Sequence, residues 1–365
     1  MATSIDPPAS RPGTAPRRQR DRLLIPDVLR GVALLAMVIA HIDPFVREPL
    51  AGWAFLSAQI NDLASPLFAL VMGMSAQIML RASGGTTRAV WVVITQNAVR
   101  GTVLIALGLW LETWGTWIAI VLAFLGVLLI VGTPLVVLGT RALLVVTALV
   151  WLVSGAVVAW ANASLGTSAL PPVLDRLVEW TLLGRSYRLA NLLPFFLLGA
   201  LLLRHGFQRD RLLLGMAMLA PIAYLARPIA ERVLGTEQFS GSYLDTLHDV
   251  GLVFTAYVVV VWAATVPSGS AQRALGWVFT PLRAIGSVAL SLYVLHTALV
   301  RWGMQHAAQD PTTLNHMLPW TLVLVVTLAV GVLWWRFVGR GPIEWLTGVI
   351  SGRYRLTARR KRVVT

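Results

Sequence analysis

The chain has 365 residues, 57% of them hydrophobic and 13% charged, with a mean hydropathy of +0.73 and a formal net charge of +14. A soluble domain carries about a quarter charged residues, so this composition excludes an ordinary water-soluble enzyme. The positive charge is nearly all arginine, placed in short loops and at the two ends, which is a membrane-topology pattern and not a nucleic-acid-binding one, and the absence of cysteine removes disulfide and thiolate chemistry.

Residues 1–26 form a polar tail containing "RPGTAPRRQRDR". It reads as a retained cytoplasmic tail rather than a signal peptide, because the apolar segment after it is long and has no small-x-small cleavage site. A bilayer core about 30 Å thick needs roughly 20 apolar residues per helix, and such blocks recur at roughly 28–45, 63–80, 89–111, 117–139, 142–161, 187–203, 212–227, 245–266, 284–300 and 317–338. The expected fold is therefore all-α, a polytopic bundle of about ten transmembrane helices. Residues 27–339 make up the transmembrane domain and residues 340–365 a basic cytoplasmic tail. Pro134 is expected to kink or end the fourth span. "PPVLDRLVEWTLL", before the sixth span, reads as an amphipathic helix on the membrane surface.

Loop charges orient this map. With the N-terminus inside, Arg81, Arg88, Arg141, Arg204, Arg209, Arg211, Arg273 and Arg283 fall on the cytoplasmic side, as do both basic tails. Acidic loop residues such as Glu48, Glu112, Asp175, Glu179, Glu231 and Glu237 fall outside, with Arg47, Arg176, Arg185, Arg188, Arg227, Arg232 and Arg301. An even number of spans follows, with both termini cytoplasmic. Trp114, Trp117, Trp160, Trp180, Trp302 and Trp320 sit near outer span ends and read first as an aromatic belt.

Polar residues inside spans are costly, so each calls for a functional hypothesis. In the first span, "PDVLRGVALLAMVIAHIDPF", Arg30 and His41 are eleven residues apart. That spacing puts them on one helix face, about 16 Å apart along the axis, with Asp27 one turn before Arg30. The bland alternative is an arginine snorkelling to the inner interface and a histidine satisfied by a neighbouring helix. His296 lies in the outer part of the ninth span and His248 opens the eighth from outside, while His306 and His316 read as ordinary loop histidines. Imidazole titrates near neutrality and suits general-base chemistry, and Asp43, Asp62 and Asp249 are candidate carboxylates to orient it. Gln96, Asn97 and Arg100 in the third span and Asn191 in the sixth either line a cavity or act as interhelical glue. "GMSAQ" at 73–77 reads as helix packing.

The Arg30–x10–His41 spacing resembles the hallmark of the membrane acyltransferase-3 proteins. The wording around it is similar to the bacterial relatives of heparan-α-glucosaminide N-acetyltransferase. The likeness runs in order through "DVLRGVALLAMVIAH", "ASPLFALVMGMSA", "RGTVLIALGLWLE", "NLLPFFLLGALLLR", "FSGSYLDTLHDVGL", "AIGSVALSLYVLH" and "GPIEWL". The resemblance implies an acyltransferase of a bacterial cytoplasmic membrane. Its donor would be acetyl-CoA or another acyl-CoA held from the cytoplasmic side, with no tightly bound cofactor and no metal. The acceptor would be a carbohydrate or glycolipid at the outer face. His41 matches the acyltransferase-3 histidine, whereas the loop after the first span lacks the histidine that the heparan enzyme places there. On this reading His41, His296, Asp43 and Asp62 are the catalytic candidates, and Arg30, Arg88, Arg100 and Arg283 would meet the donor phosphates. Expected partners are membrane lipids, the acyl-CoA and the acceptor, with a homodimer compatible and nucleic acid not. The competing reading is a transporter of a lipid or small anion with intramembrane Arg and His residues along its path. No internal repeat is visible, which counts against common transporter designs. A third reading makes the protein a structural or assembly factor.

Overall fold

The computed structural model describes residues 18–46, 51–166, 170–235, 238–309 and 317–353. The Arg-rich segment before residue 18, the basic segment after residue 353, Arg47, Glu48, Glu237 and His316 lie outside the described residues. The described residues form an all-α protein with thirteen α-helices. They are α1 (Arg18–Ile42), α2 (Ala51–Ala82), α3 (Thr87–Glu112), α4 (Leu122–Leu135), α5 (Thr140–Leu165), α6 (Pro172–Val178), α7 (Leu189–His205), α8 (Arg211–Leu234), α9 (Tyr243–Ala264), α10 (Gly269–Ser287), α11 (Ala289–Gln309), α12 (Met317–Phe337) and α13 (Pro342–Ile350).

Seven of these helices are long and apolar enough to cross a membrane, and an eighth crossing arises if α10 and α11, bent by 79°, count as one broken span. α4 and α7 are apolar but shorter. The protein is thus a multi-pass membrane protein by helix length and hydropathy. In hydrocarbon the backbone must satisfy its own hydrogen bonds, which is why the apolar blocks resolve into helices.

The short helices sit centrally. Leu192 to Leu197 of α7 are buried, as are Leu122 to Gly126 of α4. α3, α5, α8 and α12 bury less than a third of their apolar windows and present the rest outward, whereas α1 and α2 bury 61%. α2 packs on α7, α1 on α2 and α10, α3 on α4, and α8 on α9. The α2–α7 contact is reciprocal and close. A Cβ on Gly73 would lie 1.7 Å from the Phe196 carbonyl oxygen, and one on Gly199 would lie 1.9 Å from that of Leu70. "GMSAQ" is therefore a packing segment, as small residues at helix crossings usually are.

Two polar faces close the bundle. On one, Arg204 donates to the Leu138 carbonyl at 2.9 Å and to Gln77 Oε1 at 2.8 Å, Arg81 donates to the Arg204 carbonyl, and Arg209 donates to Thr265 Oγ1. These bonds gather the C-terminal ends of α2, α4, α7 and α9, whose last carbonyls lack intrahelical partners. On the other face Arg176 pairs with Glu112 and Glu179, and Arg227 bridges Asp62, Glu231 and Asp245.

Two expectations need correcting and a third is refined. The fourth apolar block is not helical from residue 117: residues 118–121 have no regular structure and α4 begins at Leu122, ending beside Pro134. The ninth block, 284–300, straddles the break between α10 and α11. Its start carries Gly286 and Ser287, and Gly286 lies so close to α1 that a Cβ there would sit 2.0 Å from the Asp27 carbonyl oxygen. The surface segment "PPVLDRLVEWTLL" is helical, but α6 gives way to a π-helical turn over Glu179–Leu183.

Candidate functional site

α1 carries polar groups at two depths, and each meets a different set of neighbours. Arg30 donates from Nη2 to Ser75 Oγ at 2.8 Å and from Nη1 to Asp27 Oδ1 at 3.1 Å, with a longer bond to the Gly286 carbonyl at 3.4 Å. Three of the five guanidinium N–H groups are thereby used, and two of its fork remain. Arg30 lines a cavity of about 370 Å³, within the range of about 300–1,000 Å³ typical of small-molecule sites. The walls are apolar, with Phe68, Met72, Leu104, Leu122 and Leu125. The rim is basic, with Arg100, Arg340 and Arg353 joining Arg30.

Two polar groups in this cavity matter for what it holds. Asn97 is fully buried, and its Oδ1 accepts from Arg100 at 3.3 Å while its Nδ2 has no partner. A buried orphan donor in a cavity wall is a mark of a missing ligand or water. Glu344 of α13 accepts from the Leu290 N–H at 2.7 Å, the Ser291 N–H at 3.2 Å and the Ser291 hydroxyl. Those are the exposed amides at the N-terminal end of α11, so a carboxylate caps the positive end of a helix that begins at the break. α13 thereby closes one side of the cavity, with Glu344, Thr347 and Gly348 in its wall.

Three turns further along α1, His41 meets His296 of α11. His41 Nδ1 and His296 Nε2 are 2.9 Å apart and the rings stack at 5.2 Å. The tautomers follow from the partners. His296 Nδ1 lies 3.2 Å from the Leu292 carbonyl, which can only accept, so Nδ1 carries the proton. In the neutral ring Nε2 is then the acceptor, and His41 Nδ1 must be the donor to it. The lone pair of His41 is left on Nε2, which has no partner among the described residues. The second nitrogen sets the first, the usual way a protein orients a reactive imidazole. His296 is fully buried and His41 is 9% exposed, so His41 is the reachable member. Trp117 Nε1 donates to the His41 carbonyl at 3.0 Å and the Trp117 ring packs edge-on against Phe45, fixing the end of α1.

Tyr293 joins the two places. It lines the cavity, and its ring meets His296 edge-on at 5.2 Å. Its hydroxyl accepts from the Val121 N–H at 3.3 Å, at the head of α4.

The remaining candidates fall elsewhere. Asp43 accepts from Trp53 Nε1 at 2.9 Å, which ties the end of α1 to α2 and does not orient a histidine. Asp62 lies 3.6 Å from Arg227, in the network that joins α2, α8 and α9. His248 donates from Nδ1 to the Tyr224 carbonyl at 2.9 Å, and His306 stacks on Trp302. Arg88 borders a neighbouring groove with Gln96 and Thr86, sharing Arg353 with the cavity, whereas Arg283 is exposed and does not line it. Asn191 donates to Thr246. Of the residues expected from sequence, the structure brings Arg30 and Arg100 to one cavity and His41 to His296, and it sets Asp43, Asp62 and Arg283 apart from both. Sequence reasoning missed Tyr293, Ser75 and Glu344, and it read Trp117 as a belt residue. The signals were present: Tyr293 is three residues before His296, and Glu344 is the acid of "GPIEWL".

Just before α7, Tyr187 packs edge-on against Phe124 of α4 at 5.8 Å. Arg188 contacts the Gly184 and Ser240 carbonyls. Both belong to the structural closure of that face.

Residues 201–350 match a family described as a protein of unknown function (DUF418). The matched stretch holds α8 to α13 and with them Tyr293, His296 and Glu344, but not Arg30, Asn97 or His41. No acyltransferase family matches. No curated protein matches the chain.

Proposed function

We propose that the protein is a membrane acyltransferase that moves an acyl group from acyl-CoA to a sugar or glycolipid hydroxyl or amine. What carries the reading is one helix, α1, with a cation at a basic-rimmed apolar cavity and, three turns on, a histidine whose reactive nitrogen is set by a second histidine. The rise between Arg30 and His41 is about 16 Å, comparable to an extended pantetheine arm. A donor whose phosphates meet Arg30 and Arg100 would run its arm along the apolar wall and present its thioester toward His41. The orphan Asn97 Nδ2 offers a donor to an amide carbonyl of that arm.

In this mechanism the acceptor O–H or N–H attacks the thioester carbon as His41 Nε2 takes its proton. The carbonyl π pair moves to oxygen and returns as the C–S bond breaks. The CoA thiolate leaves and takes the proton from the His41 imidazolium. A base of this kind contributes about 10²–10⁴-fold. The same nitrogen can instead carry the acyl group transiently, and rapid-quench trapping of labelled protein distinguishes the two.

The topology belongs to this reading. The seven long helices, the broken α10–α11 pair and the short α4 and α7 give ten crossings, with both termini cytoplasmic and the cavity opening inward. The membrane is the bacterial cytoplasmic one, as the resemblance implies.

A transporter of a lipid or small anion is the second reading. The observation that favours it is the α10–α11 break, since discontinuous helices build many transport sites. Purified protein assayed with acetyl-CoA and a hexosamine separates the two. Thiol release and an acylated product support the enzyme. Acetyl-CoA binding without turnover, together with anion uptake into proteoliposomes, would replace it with the transporter.

A further inference from the structure

We propose that the Tyr293 hydroxyl is a catalytic hydrogen-bond donor, holding the carbonyl oxygen of the thioester as negative charge develops on it. The inference rests on the acyltransferase reading and adds to it the electrophilic half of the site.

The argument begins with what the hydroxyl does. Tyr293 is 3% exposed, and a phenol so buried ordinarily uses its proton. Here the oxygen only accepts, from the Val121 N–H at 3.3 Å. Among the described residues the hydroxyl proton has no acceptor. A buried donor without a partner is costly to keep, so its position in a cavity wall points to a ligand oxygen.

The surroundings favour a donor role over a base. Val121 is the N-cap of α4, so the oxygen sits at that helix's positive end. Accepting from a backbone amide polarises the O–H and strengthens its own donation. The ring is fixed edge-on to His296, and the Tyr293 carbonyl accepts from Thr297 Oγ1 at 2.9 Å, so the group is preorganised.

Position completes the case. Tyr293 and His296 are one turn apart on α11, about 4.5 Å along the axis. His296 in turn orients His41. Tyr293 lines the cavity whereas neither histidine does, so the phenol stands between the cavity and the histidine its ring touches. An acyl-transfer site needs that juxtaposition, with a reacting carbon reachable from a base and an oxygen reachable from a donor. As the acceptor adds to the carbonyl carbon, the π pair moves onto oxygen and Tyr293 donates to it. When the C–S bond breaks the pair returns, and Tyr293 keeps its proton throughout.

The test compares wild type, Tyr293→Phe and His41→Gln as full-length protein in lipid nanodiscs. Acetyl-CoA is the donor and glucosamine the acceptor. The ethyl thioether of CoA, which lacks the carbonyl, serves as a binding control. Tyr293→Phe keeps the ring against His296 and should lower kcat by about 10²–10³-fold, the usual effect of removing one oxyanion donor. It should leave thioether affinity unchanged. The carbonyl stretch of bound ¹³C-labelled acetyl-CoA should lie lower in wild type than in Tyr293→Phe. Wild-type turnover with Tyr293→Phe within threefold overturns the role of Tyr293 alone. Lost thioether affinity assigns the hydroxyl to shaping the Val121 wall and also overturns it. No turnover by wild type overturns the acyltransferase reading and takes this proposal with it.

Discussion

At the residue scale the site turns on which nitrogen carries which proton. His296 Nδ1–H is fixed by the Leu292 carbonyl, and the direction of the His41–His296 bond follows from it. His41→Gln should cost about 10²-fold or more in turnover with normal expression and donor binding. Near-normal turnover would remove His41 from the mechanism. His296→Gln offers an oxygen that can still accept from His41 Nδ1–H, so it should keep more activity than His296→Leu, which leaves that donor orphaned. Equal loss in the two variants would refute the relay direction derived from Leu292. Arg30→Ala should weaken acetyl-CoA binding and Arg30→Lys should restore it only in part, because lysine lacks the planar fork that also bonds Ser75 and Asp27. Unchanged affinity by calorimetry in Arg30→Ala would move the phosphate contact elsewhere on the rim. Arg30 and His41 were legible because helical spacing along one segment is a local property. The partners of Asp43 and Asp62, Trp53 and Arg227, were not legible because they are chosen by how other helices cross.

At the element scale the informative parts are those that break the pattern of one long apolar block per crossing. α4 and α7 are short because they are enclosed by other helices and need not reach both interfaces alone. The Gly73–Phe196 and Gly199–Leu70 approaches hold α2 against α7 with backbone nearly touching backbone. Gly73→Ala forces the two helices apart and should cost about 1–3 kcal/mol, read as a lower midpoint of thermal unfolding in detergent. An unchanged midpoint would mean that the crossing relaxes freely. α10 and α13 escaped the reading of apolar blocks. α10 carries Arg273 and Arg283 in a mixed sequence, and α13 is nine residues long. Hydropathy finds segments that face lipid, whereas these two are placed by the cavity and by Glu344 at the head of α11.

At the scale of the whole molecule the arginines do two things at once. In the proposed topology they fall on the cytoplasmic side, where loops are usually basic, and they meet helix ends. Arg204 and Arg209 reach the ends of α4 and α9, so the basic face is also the face where these helices present their unpaired carbonyls and the negative ends of their dipoles. On the opposite face two arginines are paired with carboxylates, Arg176 with Glu112 and Arg227 with Asp245. The two faces therefore differ in charge for reasons internal to the fold, and the bonds across each face assign helix ends to it independently of any hydropathy count. The end of α3 and the starts of α2 and α9 share the carboxylate face, while the ends of α2, α4, α7 and α9 share the basic one. The proposed ten-crossing topology is consistent with this assignment, and it needs the short α4 and α7 and the bent α10–α11 pair each to count as a crossing beside the seven long helices. The absence of cysteine makes this testable with single cysteines. In intact cells Thr113→Cys and Ser164→Cys should react with a membrane-impermeant maleimide, whereas Thr87→Cys and Ser270→Cys should react only after lysis. All four positions are exposed, so failure to label reports sidedness and not burial. Labelling of Thr87→Cys and Ser270→Cys from outside would invert the molecule and turn the Arg30 cavity away from the cytoplasmic acyl-CoA pool. Labelling of Thr113→Cys but not Ser164→Cys would show instead that the segment from α4 to α5 does not complete two crossings, and the ten-crossing arrangement would fall with both termini no longer on one side.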